Sequence, residues 1–222
     1  MAQSRGPKIG RRPKKKAVPV AAARPWGVIA TVAAVAVLAV TIIGYAAFAS
    51  WRGTRPWGDR LAEISGLTDY KAQKPAWLTQ DHKEGPLDYA VKPSVGGDHN
   101  GAWQNCTGDV YPAPIAAENA THSLEHGAVW VTYRPGLPAE QVRQLEERVR
   151  GKDYTLMSPQ ENTPGPISLQ AWGYQLVVDS ASDERIDTFL SAARINAGPE
   201  VGAPCSRGIT DTGTAPPPSA GG

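Results

Sequence analysis

The sequence predicts an α+β domain, a small sheet with two helices on one face in the order β-α-β-β-α, behind a single N-terminal transmembrane helix. Three observations predict it. Residues 27–49 form a run of 23 residues without a charge. Strand-like and amphipathic segments alternate from residue 128 onward. All four histidines are confined to residues 82–126.

The uncharged run reads GVIATVAAVAVLAVTIIGYAAFA, with Thr31, Thr41 and Tyr45 as its only mildly polar members. A bilayer core of about 30 Å takes about 20 apolar residues at helical rise. The β-branched content does not make the run a strand, because a lone strand leaves its amides unpaired in lipid. Trp26 and Trp51 bracket it as interfacial anchors. Residues 26–50 are therefore assigned to membrane lipid. A secretory apolar region is usually about 7–15 residues long and nearer the start. Ala47-Phe48-Ala49 is a faint cleavage pattern, and a cleaved signal is the alternative.

The formal net charge of +2 is unevenly spread. Residues 1–25 carry eight Lys and Arg and no acid, which leaves the remainder at about −6. Arg52, Arg55 and Arg60 follow the run. The positive-inside rule then places the N-terminus in the cytoplasm and the C-terminal portion outside a plasma membrane. The basic tail, 1–25, sets topology and meets anionic lipid, so it calls for no nucleic acid.

Residues 51–75 read as a juxtamembrane linker, with a helical turn at Arg60–Ile64 ended by Gly66. An extracytoplasmic domain is expected over 76–208. Its first part, 76–121, is rich in Pro and Gly and reads as loop, with short strands at Leu87–Val91 and Val110–Tyr111. A long irregular stretch within a domain is often functional. Ala128–Tyr133 has strand composition. Pro138 suits a first helical turn, and Val142, Leu145 and Val149 recur on one face until Gly151. Tyr154–Met157 is a short strand. Ile167–Val178 reads as one strand with Gly173 as a bulge or close-approach point. Ser182 or Asp183 caps a second helix that buries Ile186, Phe189, Leu190 and Ala193. Residues 209–222 read as a disordered tail. The order is most of a split-βαβ, ferredoxin-like unit. A thioredoxin-like fold uses similar elements, but no Cys-x-x-Cys is present.

His122 and His126 flank Glu125 in His122-Ser123-Leu124-Glu125-His126-Gly127. On a strand these two rings would lie about 13 Å apart and could not share an ion. On a helix from Glu118 to His126, ended by Gly127, they share a face. His99 sits in the flexible turn Gly96-Gly97-Asp98-His99-Asn100, and His82 in Asp81-His82-Lys83. Imidazoles with a thioether suit copper, and imidazoles with carboxylates suit zinc. The candidate metal ligands are His99, His122 and His126, joined by Glu118, Glu125, His82 or Met157. Glu125 also reads as a partner that orients an imidazole. Histidines that merely pin loops to backbone carbonyls are the competing reading. His-x-x-Glu-His also matches the inverted zinc-protease pattern, in which Glu125 would be the base. Trp103, Trp130, Trp172 and Tyr174 read as core aromatics.

Cys106 and Cys205 both fall on the expected outer side. An even count in an oxidising compartment points to a disulfide, with metal-bound thiolates as the alternative.

The residues His82, Gly85, Tyr89, Pro93, Gly96-Gly97-Asp98-His99-Asn100, Trp103, Asn105-Cys106, Tyr111, Pro114, Glu118-Asn119 and His122 to Tyr133, with Ala171-Trp172-Gly173, carry a resemblance. Over about residues 80–196 the chain resembles an actinobacterial family of membrane-anchored proteins known as domain of unknown function 3105. That resemblance implies an extracytoplasmic domain behind one span and implies no reaction. The chain departs from it at Thr107-Gly108, where the family commonly has Gly directly after Cys, which leaves room for a local bulge.

The leading expectation is a membrane-anchored, non-enzymatic site for copper or zinc. The second is an accessory or scaffold subunit of a cell-envelope complex with a membrane-protein partner. The third is a metal-dependent hydrolase using Glu125.

Overall fold

The computed structural model describes residues 25–217 and forms two units, residues up to Thr54 and residues from Arg55. The expected basic tail lies outside the described residues as far as residue 24, as do residues 218–222. The first unit is one helix, α1 (Trp26–Thr54). Its residues 26–51 are long and apolar enough to cross a membrane. Val28, Val32, Val37, Ile43 and Phe48 are all exposed on it. Apolar side chains on every face are what a helix surrounded by lipid presents.

The second unit is mixed α+β. In chain order it contains α2 (Trp57–Ala62), β1 (Leu67–Asp69), α3 (Tyr70–Gln73), β2 (Thr107–Val110), α4 (Ala117–Glu125), β3 (Val129–Tyr133), α5 (Ala139–Val149), β4 (Thr155–Pro159), β5 (Ile167–Ala171), β6 (Tyr174–Val178) and α6 (Arg185–Ala193). The six strands form one sheet in the order β1-β6-β5-β3-β4-β2. The β3–β4 and β4–β2 pairs are parallel, and the other three are antiparallel. Helix α5 carries the chain from β3 to its parallel neighbour β4, as a parallel pair requires a crossover.

Side chains alternate across the sheet with period two. One face presents Val129, Val131, Met157, Leu169 and Leu176 to Leu145 and Val149 of α5 and to Ile186 and Phe189 of α6. Both amphipathic helices thus bury the positions their periodicity marks. The opposite face presents Trp130 and Leu156 to Ala120 and Leu124 of α4, with Ile115, Trp172 and the cysteine pair. The His-bearing segment lies with α4, and α5 and α6 occupy the other side of the sheet.

Several sequence expectations are corrected. Ile167–Val178 is two strands, because Gly173 (φ +78°) turns the chain between β5 and β6. A Cβ there would stand 2.4 Å from Lys71 Cγ, so the position is also a close approach. Strands β3 and β4 are direct neighbours, so no strand splits this βαβ unit. Residues 87–91 form no strand. The expected linker instead supplies edge strand β1 and the core residues Leu61 and Ile64. Residues 209–217 are pinned to the domain: Asn105 and Gln104 donate to the carbonyls of Ile209 and Asp211, and Gly213 donates to Pro114. The register shifts between Thr107 and Asp109, which is the local bulge for which the sequence left room.

Candidate metal centre

Helix α4 organises the site. The run 118–125 is buried throughout, although it holds two carboxylates, a histidine, an asparagine, a serine and a threonine. Buried polar groups must be hydrogen-bonded, and these bonds staple the preceding loop to the helix. Asn119 Nδ2 donates to Ala102 O at 2.6 Å, and Ser123 Oγ donates to Gln104 O at 2.6 Å. The N–H groups of Asn100 and Gln104 donate to the carbonyls of Glu118 and Asn119. The loop that carries His99 is thereby fixed against the helix that carries His122 and Glu125.

The helix ends as the sequence predicts. His126 is the C-cap and Gly127 follows at φ +99°. Gly127 N–H donates to Leu124 O, and Ala128 N–H donates to Ser123 O. That pair of bonds is a Schellman motif. The helical state of 122–126 puts the ring centroids of His122 and His126 only 4.6 Å apart.

His82, His99, His122 and Glu125 converge, with one ligand atom from each lying within 4.8 Å of all the others. His82 arrives through a short parallel bridge, in which Lys83 N–H donates to His99 O and His99 N–H donates to Asp81 O. The ring centroids of His82, His99 and His122 are 4.8–5.0 Å apart. Tetrahedral zinc, with bonds of about 2.0–2.1 Å, separates its ligand atoms by about 3.3 Å, which is inside the bound on this set.

The hydrogen bonds of the rings define which nitrogens face the cluster. His99 Nδ1 lies 2.9 Å from Gly97 O, and His122 Nδ1 lies 2.8 Å from Asn100 O. A carbonyl only accepts, so each Nδ1 carries hydrogen and each neutral ring keeps its Nε2 lone pair. Gly97 (φ +108°) is needed here, because a Cβ on it would meet Trp77 O at 2.7 Å. His99 Nε2 is 2.8 Å from Glu125 Oε2, yet it has no hydrogen bond of acceptable geometry. A positive charge between the two atoms, a proton on Nε2 or a metal ion, satisfies this close buried pair.

Burial pushes the His122 imidazole down to about 4, although the Asn100 carbonyl opposes this. His126 is also lowered, first by burial. For Glu125 burial raises the carboxyl, but His99, His122 and His82 outweigh it and hold the group below its ordinary range. A neutral His122 imidazole and an ionised Glu125 carboxylate are the protonation states in which these two groups bind a transition metal.

The remaining sequence candidates sit elsewhere. His126 flanks the cluster, with Nδ1 on Pro204 O at 2.8 Å and Nε2 4.0 Å from Glu200 Oε2. Glu118 accepts from Leu87 N–H at 2.7 Å, outside the set. Met157 packs into the core on the α5 side of the sheet. Cys106 and Cys205 form a disulfide, so neither thiolate is a ligand. The inverted zinc-protease arrangement needs His122 and His126 on the ion and Glu125 off it. Here Glu125 is inside the set and His126 outside. Asn100, Asn119 and Gly97 support the centre; the sequence marked them as residues that carry the family resemblance and gave them no role in the site.

The model of a family described as "Protein of unknown function (DUF3105)" matches residues 81–207, a stretch that contains every histidine and both cysteines. No curated protein matches this chain, and no solved structure does.

Proposed function

The chain belongs to the DUF3105 family, and on that premise we propose that it is a membrane-anchored, extracytoplasmic metal-binding protein. It holds one divalent transition ion, zinc or copper, at His82, His99, His122 and Glu125, and it turns over no substrate. The convergence of those four groups within 4.8 Å carries the reading. Three nitrogens and one carboxylate oxygen suit Zn(II) or Cu(II), whereas Cu(I) favours thiolate and thioether ligands. Met157 is in the core on the other face of the sheet and the cysteines are paired, so the soft ligands are missing from the set. Helix α1 supplies the anchor, and the disulfide fits an oxidising compartment.

The test uses the full chain in detergent. One zinc or copper ion per chain is expected by mass spectrometry after loading, and calorimetric binding should vanish in a His99→Ala, His122→Ala double variant. A loaded wild-type chain without stoichiometric metal would sink the proposal.

A scaffold reading is favoured by a different observation: His99, His122 and His126 each tie Nδ1 to a main-chain oxygen. Such bonds pin loops with or without an ion. This reading predicts a stable membrane-protein partner in pull-downs and a metal-free chain.

A further inference from the structure

The four groups of the centre are held very unequally. His99 is fully buried, its Nδ1 tied to Gly97 and its ring edge-on to Trp172 at 5.8 Å. His122 and Glu125 are buried on the last turn of α4, and Nδ1 of His122 is tied to Asn100. His82 alone is exposed. Among the described residues no hydrogen bond holds its ring nitrogens, and its ring rests on His99 and His122 at 5.0 Å from each. Its neighbours Asp81, Lys83 and Glu84 are exposed as well. The centre is therefore a fixed, buried tripod closed on its solvent side by one loosely held imidazole.

We infer that His82 is the exchange ligand of this centre, which makes it a loading and hand-over site and not a sealed structural one. This rests on the metal-binding reading above and adds the route and the order of steps. An incoming donor, an imidazole or thiolate of a partner protein or a small chelator, approaches the exposed side. The bond from the ion to His82 breaks and one bond to the donor forms, so the coordination number is unchanged. His99, His122 and Glu125 hold the ion until the donor has taken further positions. His99 and His122, each tied by a second hydrogen bond, leave slowly, because each must lose its own anchoring to do so; Glu125 is held by its burial on α4.

The measurement is transfer of Zn(II) from the full chain in detergent to 4-(2-pyridylazo)resorcinol, followed by stopped-flow absorbance. For the wild type the transfer rate should rise with chelator concentration. His82→Ala should still bind one zinc per chain but release it at least about tenfold faster, the scale on which loss of one supporting group acts. His99→Ala should lose stoichiometric zinc. Thermal melts of the zinc-free chains check folding, and His82→Gln replaces His82→Ala if the alanine variant does not melt as the wild type does. The inference is overturned if the His82 variant releases zinc at the wild-type rate, if it loses zinc as His99→Ala does, or if wild-type transfer ignores chelator concentration. A wild-type chain that takes up no zinc or copper overturns the metal-binding reading itself, which separates the two failures.

Discussion

At the scale of single residues, the Nδ1 hydrogen bonds of His99 and His122 decide what the centre is able to bind. They fix the tautomer and orientation of each ring, and Nε2 of His99 faces Glu125 Oε2 at 2.8 Å. His122 has a folded value of about 4 against an ordinary 6.5. Between those values the unfolded chain binds more protons than the folded one, so stability rises with pH across that window. The metal-free chain should therefore lose stability as pH falls from 6.5 toward 4, and lowered His126 acts in the same sense. Glu125 is depressed as well, but its contribution is lost only as pH falls below its ordinary 4.5 and through its folded value. Urea midpoints of the metal-free chain at a series of pH values check this, and a flat profile between neutral and mildly acidic pH would contradict it. Glu125→Gln keeps the shape and removes the negative charge that faces the imidazoles. It should weaken zinc binding by at least about tenfold in calorimetry.

At the scale of elements, the end of α4 sets the site. The helix buries a polar sequence because its side chains close the hydrogen bonds of the 99–104 loop. Its stop is enforced from outside as well: Ile195 N–H donates to Gly127 O, and Glu200 N–H donates to Glu125 O. A Cβ on Gly127 would meet the backbone of Ile195 at 3.1 Å and would hold a side chain at φ +99°. Gly127→Ala should cost about 1 kcal/mol or more and lower the melting temperature by about 2–4 °C or more. A calorimetric scan of the two chains decides it; an unchanged melting temperature would mean that the left-handed stop is not required.

At the scale of the whole domain, the disulfide and the segment after it act as a strap. Cys106 and Cys205 are 99 residues apart, and their backbones are also joined by Cys106 N–H on Cys205 O. The strap places the Pro204 carbonyl on His126 and pairs Ile209 with Trp103 and Asn105. Closing so long a loop restricts the unfolded chain, and its loss typically costs about 2–5 kcal/mol. The Cys106→Ser, Cys205→Ser double variant should show that loss in urea titration. All four converging groups lie on residues 82–125, and none is on Cys205 or the segment after it. One zinc per chain should therefore survive the double variant wherever the chain is still folded. Loss of the ion from a folded double variant would move the strap into the centre.

The sequence alone determined the features that rest on local periodicity and composition. The apolar run became α1, and the recurrences at Val142, Leu145, Val149 and at Ile186, Phe189, Leu190 became the buried faces of α5 and α6. The glycine after His126 marked a helix end, and the confinement of histidines marked the centre. Tertiary structure decided the rest, for a physical reason in each case. Strands β1 and β2 are three or four residues long and polar, so only pairing with β6 and β4 makes them strands. The chain reversal at Gly173 depends on β5 and β6 pairing, which no single-strand pattern announces. The convergence of Glu125 and His82, and not of His126, Glu118 or Met157, with His99 and His122 depends on a loop from residue 82 meeting a helix that ends at residue 125. Periodicity reports which side of an element is buried; it carries no information about which distant segment lies against it.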